Sequence, residues 1–107
     1  IQLMGYPEGG AQLGGQQIII EKGRATIAGT NTLAGSVATI DGCVRRLRKN
    51  ARCSTVEALE AASLHPAQAL GLDPHKGTLN FGADADLVIL TPDELIVKAT
   101  FIGGDCV

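Results

Sequence analysis

Between Gly77 and Leu90 the chain reads GTLNFGADADLVIL, and no other stretch limits the fold as tightly. Gly77 and Gly82 bracket a short extended piece and admit backbone angles that a side chain would resist. Leu87-Val88-Ile89-Leu90 is a continuous apolar run of strand length, bounded by Asp86 and by Thr91-Pro92. The reading is a buried strand, Asp86–Leu90, entered through a tight turn.

The rest of the chain arranges itself around that strand. Residues 1–16 are rich in Gly and Gln and carry Pro7, Gly9-Gly10 and Gly14-Gly15, so they read as a loop with little regular structure. Three consecutive isoleucines make Gln17–Glu21 a strand. Lys22-Gly23 turns, and Arg24–Ala28 returns as the second strand of a hairpin. The Gly29–Ser36 segment then leads into a helix whose Val37, Ile40, Val44 and Leu47 share a face. Asp41 precedes Arg45 by four residues, and Arg45, Arg46, Arg48 and Lys49 crowd the end, where cations suit the helix dipole. Asn50 ends this helix.

Ser54-Thr55-Val56-Glu57 is a capping box that opens a second helix, with Val56, Leu59 and Ala62 or Ser63 on one face. Pro66 disfavours helix at His65 and is read as the first residue of a third, short helix ending near Gly71. Asp73-Pro74 turns the chain, and Pro92-Asp93 turns it again. Leu95–Ile102 alternates as a strand, Gly103-Gly104 makes a hairpin turn, and Asp105–Val107 returns. The two β segments are distant in sequence but able to share a sheet. No linker or internal repeat divides the chain. ALEAASLHPAQALGL has almost no charge after Glu60, which implies packing against more than 107 residues supply.

Composition excludes several classes of function. A net charge of -2 and a pI of about 5.6 argue against a dedicated nucleic-acid binder. No run reaches the ~20 apolar residues of a membrane span, and no signal peptide is visible, so a cytoplasmic protein is expected. Aromatic residues are 3%, so the core must come from Ile, Leu, Val and Ala. The start at Ile1 rather than Met is expected of a piece of a longer protein or a processed product. Cys43, Cys53 and Cys106 are odd in number, widely spaced and without a CxxC, so they read as reduced thiols rather than a zinc site.

Few side chains suggest chemistry. His65 and His75 have no second ligand four residues away, and both read as structural or exposed turn residues. Asp84 and Asp86 could face one metal from a strand, but they read as turn and strand-entry caps bonding backbone amides. Gly29–Ser36 is a Gly-containing connection before a helix. Such a loop either presents amides to an anion or is an ordinary connection with Ser36 or a nearby Thr as N-cap. It is not a P-loop, because Val37 follows Ser36 and the lysine is missing.

Three segments together carry a family resemblance. GTNTLAGSVATIDGCVRR, STVEALEAASLHPAQALGL and KGTLNFGADADLVIL, in that order, resemble the C-terminal third of the N-acetylglucosamine-6-phosphate deacetylase family of the amidohydrolase superfamily. The similarity runs from about Leu3 to Val107. It implies an α/β fold, the C-terminal part of a TIM-like (β/α)8 amidohydrolase barrel plus part of a small β-sandwich. About 1–16 and 29–72 would be barrel-associated loop and helices, and about 17–28 and 77–107 sandwich strands. It implies deacetylation of an amino-sugar phosphate with a divalent metal ion, in an enzyme that is a homodimer at full length.

By the same resemblance the metal ligands, a Glu and two His, and the Asp general base all lie upstream of Ile1. No catalytic or metal residue of the family falls on this chain, which alone would be inactive. One family site maps: Leu33, Ala34 and Gly35 match the loop after the eighth barrel strand that contacts substrate, with Thr32 and Ser36 flanking. The competing expectations are another superfamily enzyme, dihydroorotase-like or deaminase-like, and a non-catalytic interaction module from a truncated product.

Overall fold

Ile18 and Ile20 face one side of a strand and Ile19 the other, and the first sheet is built on that alternation. The computed structural model describes residues 3–107. They divide into two compact units, one ending at Thr39 and the other spanning Ile40–Val107.

The first unit is a four-stranded antiparallel sheet in sequence order: β1 (Gly9–Leu13), β2 (Gln16–Glu21), β3 (Arg24–Ile27) and β4 (Leu33–Gly35). Ile18 stands opposite Ala11 on one side and Ile27 on the other. Leu3, Ile18, Ile20 and Ala25 form the buried cluster, with Ala11, Leu13, Ala34 and Val37 packed against it. Both central turns are two-residue loops with positive φ: Gly14 (55°) with Gly15 (82°), and Lys22 (51°) with Gly23 (72°). That geometry matches the right-handed strand twist. Lys22 holds it without glycine, and its N–H donates to Glu8 Oε1 at 2.8 Å.

Two expectations change here. Residues 9–13, read as loop, are a strand, because Gly14-Gly15 folds them back onto the isoleucines. Val37 is not on a helix: the helix begins at Ile40, and Val37 packs on the first sheet's core.

The second unit contains α1 (Ile40–Ala51), α2 (Thr55–Glu60), α3 (Leu64–Ala69), β5 (Leu87–Leu90), β6 (Val97–Ile102) and β7 (Asp105–Cys106). The strands form their own antiparallel sheet, β5-β6-β7, so the two β segments do not share one. Val44, Ala58 and Leu95 are the buried cluster. Of the face expected on α1, only Val44 is buried; Ile40 is 65% exposed.

The capping box is realised in full. Ser54 Oγ accepts from Glu57 N–H at 3.2 Å, and Ser54 N–H donates to Glu57 Oε2 at 2.8 Å. Helix α3 starts two residues before Pro66, not at it. Amides of the first helical turn have no intrahelical acceptor, so proline costs no hydrogen bond there.

β5 is less covered than a continuous apolar run suggests: Leu87 and Leu90 are half-buried, while Val88 and Ile89 are exposed. Strand β6 starts at Val97 rather than Leu95. Leu95 takes a left-handed φ of 54°, which breaks the alternation and sends its side chain into the core at 3% exposure. Arg45 Nη1 donates to Leu95 O at 2.9 Å, and Arg48 donates to Asp93 O (2.5 Å) and Thr55 Oγ1 (3.2 Å). Asp41 pairs with Arg45 at 2.8 Å, as the i,i+4 spacing predicts.

Gly77 has φ +85°, and a Cβ there would lie 2.9 Å from Leu64 Cα and Ser63 O. Both contacts are backbone and cannot yield cheaply. Gly77→Ala is expected to destabilise by about 1–3 kcal/mol, and Ser54→Ala by about 1 kcal/mol through the lost cap. Urea unfolding monitored by circular dichroism measures both.

Candidate functional site

The Leu33–Gly35 segment is the last strand of its sheet. Thr26 pairs with Leu33 and Ala25 with Gly35, so two steps along β4 match one along β3. Ala34 is the extra residue of a β-bulge, which bends an edge strand and re-aims its groups. Gly35 holds φ +138°, and a Cβ there would meet Leu3 Cδ1 at 3.4 Å. The half-buried Ala34 packs on the core cluster, while Leu33 is 61% exposed. An edge strand leaves alternate N–H and C=O groups without a strand partner. Among the described residues no strand pairs with the outer side of β4.

The flanking residues fix this edge. Thr32 O accepts from Ile27 N–H at 2.9 Å, and Thr32 N–H donates to Thr30 Oγ1 at 3.1 Å. Thr30 Oγ1 in turn donates to Ile27 O at 3.0 Å. Both backbone groups of Thr32 are therefore spent on the β3–β4 turn. Ser36 Oγ accepts from Ala38 N–H at 3.1 Å, closing a local turn four residues before α1 rather than capping it. The segment is thus not a strand-to-helix connection that presents a helix N-terminus. What it offers a ligand is a bulged edge of backbone groups and the apolar surface of Leu33.

The remaining candidates sit elsewhere. His65 lies exposed in the first turn of α3. His75 is exposed, and its backbone bonds Leu72 O and Asp84 N–H. Asp84 and Asp86 do come together, on a partner the spacing did not reveal. Lys76 Nζ reaches Asp84 at 2.8 Å and also bonds Asp86. Asp86 Oδ1 accepts from Gly103 N–H at 2.8 Å, the backbone-capping role expected of it. Cys43, Cys53 and Cys106 are free thiols. Among the described residues no group of three or more His, Cys, Asp or Glu could hold a metal ion, so these side chains do not fit a divalent-metal site.

The second unit also has an apolar cleft of about 670 Å³, lined by Val44, Leu59, Leu64, Leu87, Val88 and Val97 among others. Leu79, which also lines it, and Phe81, further along the same loop, are almost fully exposed. No helix among the described residues is long and apolar enough to cross a membrane.

The Lys76 bridge makes stability depend on pH. Hydrogen bonds from Lys76, then from the Gly103 amide, hold the Asp86 carboxyl below its ordinary range. The Ser54 amide and then its hydroxyl do the same for Glu57. Each carboxylate thus contributes stability that is complete above the unfolded value and is lost as pH falls through the folded one, below about pH 4. Lys76 is raised, by Asp84 first and Asp86 second. Its contribution is complete below the ordinary lysine range and is lost at higher pH, as the folded value is crossed. Lys76→Met is expected to lower the urea midpoint at pH 7 and to flatten, without abolishing, the acid limb between pH 5 and 3. Glu57, and the Gly103 amide on Asp86, supply the part that remains.

The profile of the amidohydrolase family matches residues 18–107. N-acetylglucosamine-6-phosphate deacetylase of Danio rerio is 54% identical over 104 residues, 97% of this chain and 26% of that protein. The enzyme of the same name from Homo sapiens is 51% identical over all 107 residues, again 26% of its length. Among solved structures, a mutant N-acetyl-D-glucosamine-6-phosphate deacetylase of Mycobacterium smegmatis, in complex with N-acetyl-D-glucosamine-6-phosphate, superposes with a TM-score of 0.79. It is 37% identical, and the match covers 96% of this chain and 27% of that one. The chain spans about a quarter of the length of the curated relatives it matches.

Proposed function

We propose that this chain, which belongs to the amidohydrolase family, serves as the substrate-contacting C-terminal part of an N-acetylglucosamine-6-phosphate deacetylase. The longer enzyme would hydrolyse the N-acetyl group to release glucosamine-6-phosphate and acetate. The observation that carries this is the 54% identity to a deacetylase across nearly the whole chain. The 37% identity to a deacetylase solved with that amino-sugar phosphate supports the same substrate class.

In this reading Leu33, Ala34 and Gly35 bind substrate. The bulged edge supplies backbone donors and acceptors to the sugar, and exposed Leu33 shields the bound face from water. Thr32 and Ser36 hold the ends of the edge. His65, Asp84 and Asp86 remain structural. Enzymes of this family generally use a divalent metal. In this reading its ligands and the general base come from residues beyond these 107, which is consistent with the lack, among the described residues, of a group of three or more His, Cys, Asp or Glu that could hold a metal.

The helices are read as barrel-associated and the strands of both sheets as parts of a sandwich. The cleft and the exposed Leu70, Leu72, Leu79 and Phe81 support a place against a larger body. The longer enzyme is read as a cytoplasmic homodimer that binds neither nucleic acid nor membrane.

Acetate release from N-acetylglucosamine-6-phosphate, with a divalent metal supplied, tests the function. The longer protein should turn over, and the pure 107-residue chain should not. Preference for a dihydroorotate-type amide or an aminopurine would transfer the protein to another branch of the superfamily. Turnover by the 107 residues alone would mean that catalytic groups lie within them. The isolated chain should also bind an apolar dye and melt over a broad range; a sharp cooperative melt without dye binding counts against a missing partner body.

A further inference from the structure

We infer that Leu3 is a positioning residue for the Leu33–Gly35 edge, a role that rests on reading that edge as the substrate contact. Leu3 is 3% exposed and belongs to the buried cluster of the first sheet, although it stands outside every strand. Its Cδ1 lies 3.4 Å from the place a Cβ on Gly35 would occupy, so the leucine fills the space that the glycine leaves open.

The neighbouring geometry makes this contact matter. β4 has three residues and a bulge, so its pairing with β3 reduces to Leu33 and Gly35. Gly35 sits at φ +138°, which pairing alone does not favour. Ala34, the bulged residue, has no partner across the strand and is held by packing on the cluster that contains Leu3. A strand this short keeps its shape only if something backs it. Opposite Gly35 stands Ala25, which is fully buried but too small to fill the gap. Leu3 is the large side chain that does. Truncating it would let the bulge relax toward the core and move the backbone groups that face the ligand. Displacement of a ligand-binding group by about 1 Å costs up to about a hundredfold.

The test uses the longer protein carrying Leu3→Ala or Leu3→Met. Hydrogen exchange by mass spectrometry reads the peptide spanning 28–36, and kinetics read KM and kcat on N-acetylglucosamine-6-phosphate. Leu3→Ala should speed exchange in that peptide at least fivefold while leaving the 95–107 peptide unchanged. It should raise KM about tenfold with kcat within twofold, and Leu3→Met, which refills the volume, should restore both. Unchanged exchange at β4 in a folded Leu3→Ala protein would overturn the positioning role whatever the enzyme's activity. Faster exchange with unchanged KM would overturn the link to substrate. A parent protein inactive on this substrate, with exchange at β4 still faster, would sink the functional reading and leave Leu3 as support for the edge.

Discussion

Ile18 has no accessible surface, and the first unit is arranged so that it has none. It sits on the second of four strands, with neighbours paired on both sides, and Leu3 and Ala25 complete the layer around it. With aromatic residues at 3%, no large ring could replace that aliphatic center. The tight turns at Gly14-Gly15 and Lys22-Gly23 are what bring the neighbouring strands into register. The short strand β4 is the outermost consequence: it joins the same layer through Ala34 and is otherwise held by two pairings.

The second unit solves the same shortage differently. Its buried cluster is Val44, Ala58 and Leu95, with Cys53, Leu59, Ala62 and Leu90 only partly buried against it. Polar clasps add to this packing. Arg45 and Arg48 carry carbonyls of the turn before β6 on helix α1, and Thr91 closes that turn through its hydroxyl and backbone. Lys76 draws Asp84 and Asp86 together at the base of the loop that carries Leu79 and Phe81. These clasps are exposed or half-buried, so each is weaker than a buried contact and sensitive to pH and salt.

Local chemistry was legible in the residues. The isoleucine hairpin, the Ser54–Glu57 capping box, the Asp41–Arg45 pair and the Gly103-Gly104 turn stand where their patterns place them. The first strand was missed, although Gly14-Gly15 between short segments is a hairpin signal. Gln, Gly and Ala in Gly9–Leu13 carry no alternation to accompany it. The helical periodicity at Val37 was misleading because one apolar residue at the right spacing cannot tell a helix from a core contact. Leu33–Gly35 was legible as a site only by resemblance. Nothing in three small or apolar residues announces a bulge, and Thr26 and Ala25, which define it, are seven or more residues away.

By itself the sequence determined where the isoleucine hairpin turns, that Ser54 and Glu57 cap α2, that Asp41 pairs with Arg45 and that the core is aliphatic. These depend on near neighbours and on composition, which the chain states directly. Tertiary structure alone decided that the strands form two sheets rather than one, that Lys76 serves both aspartates, that Leu95 turns left-handed into the core, and that Leu3 backs Gly35. Each of these joins residues whose separation along the chain carries no periodic signal, and each is settled by which groups can be buried or paired at once.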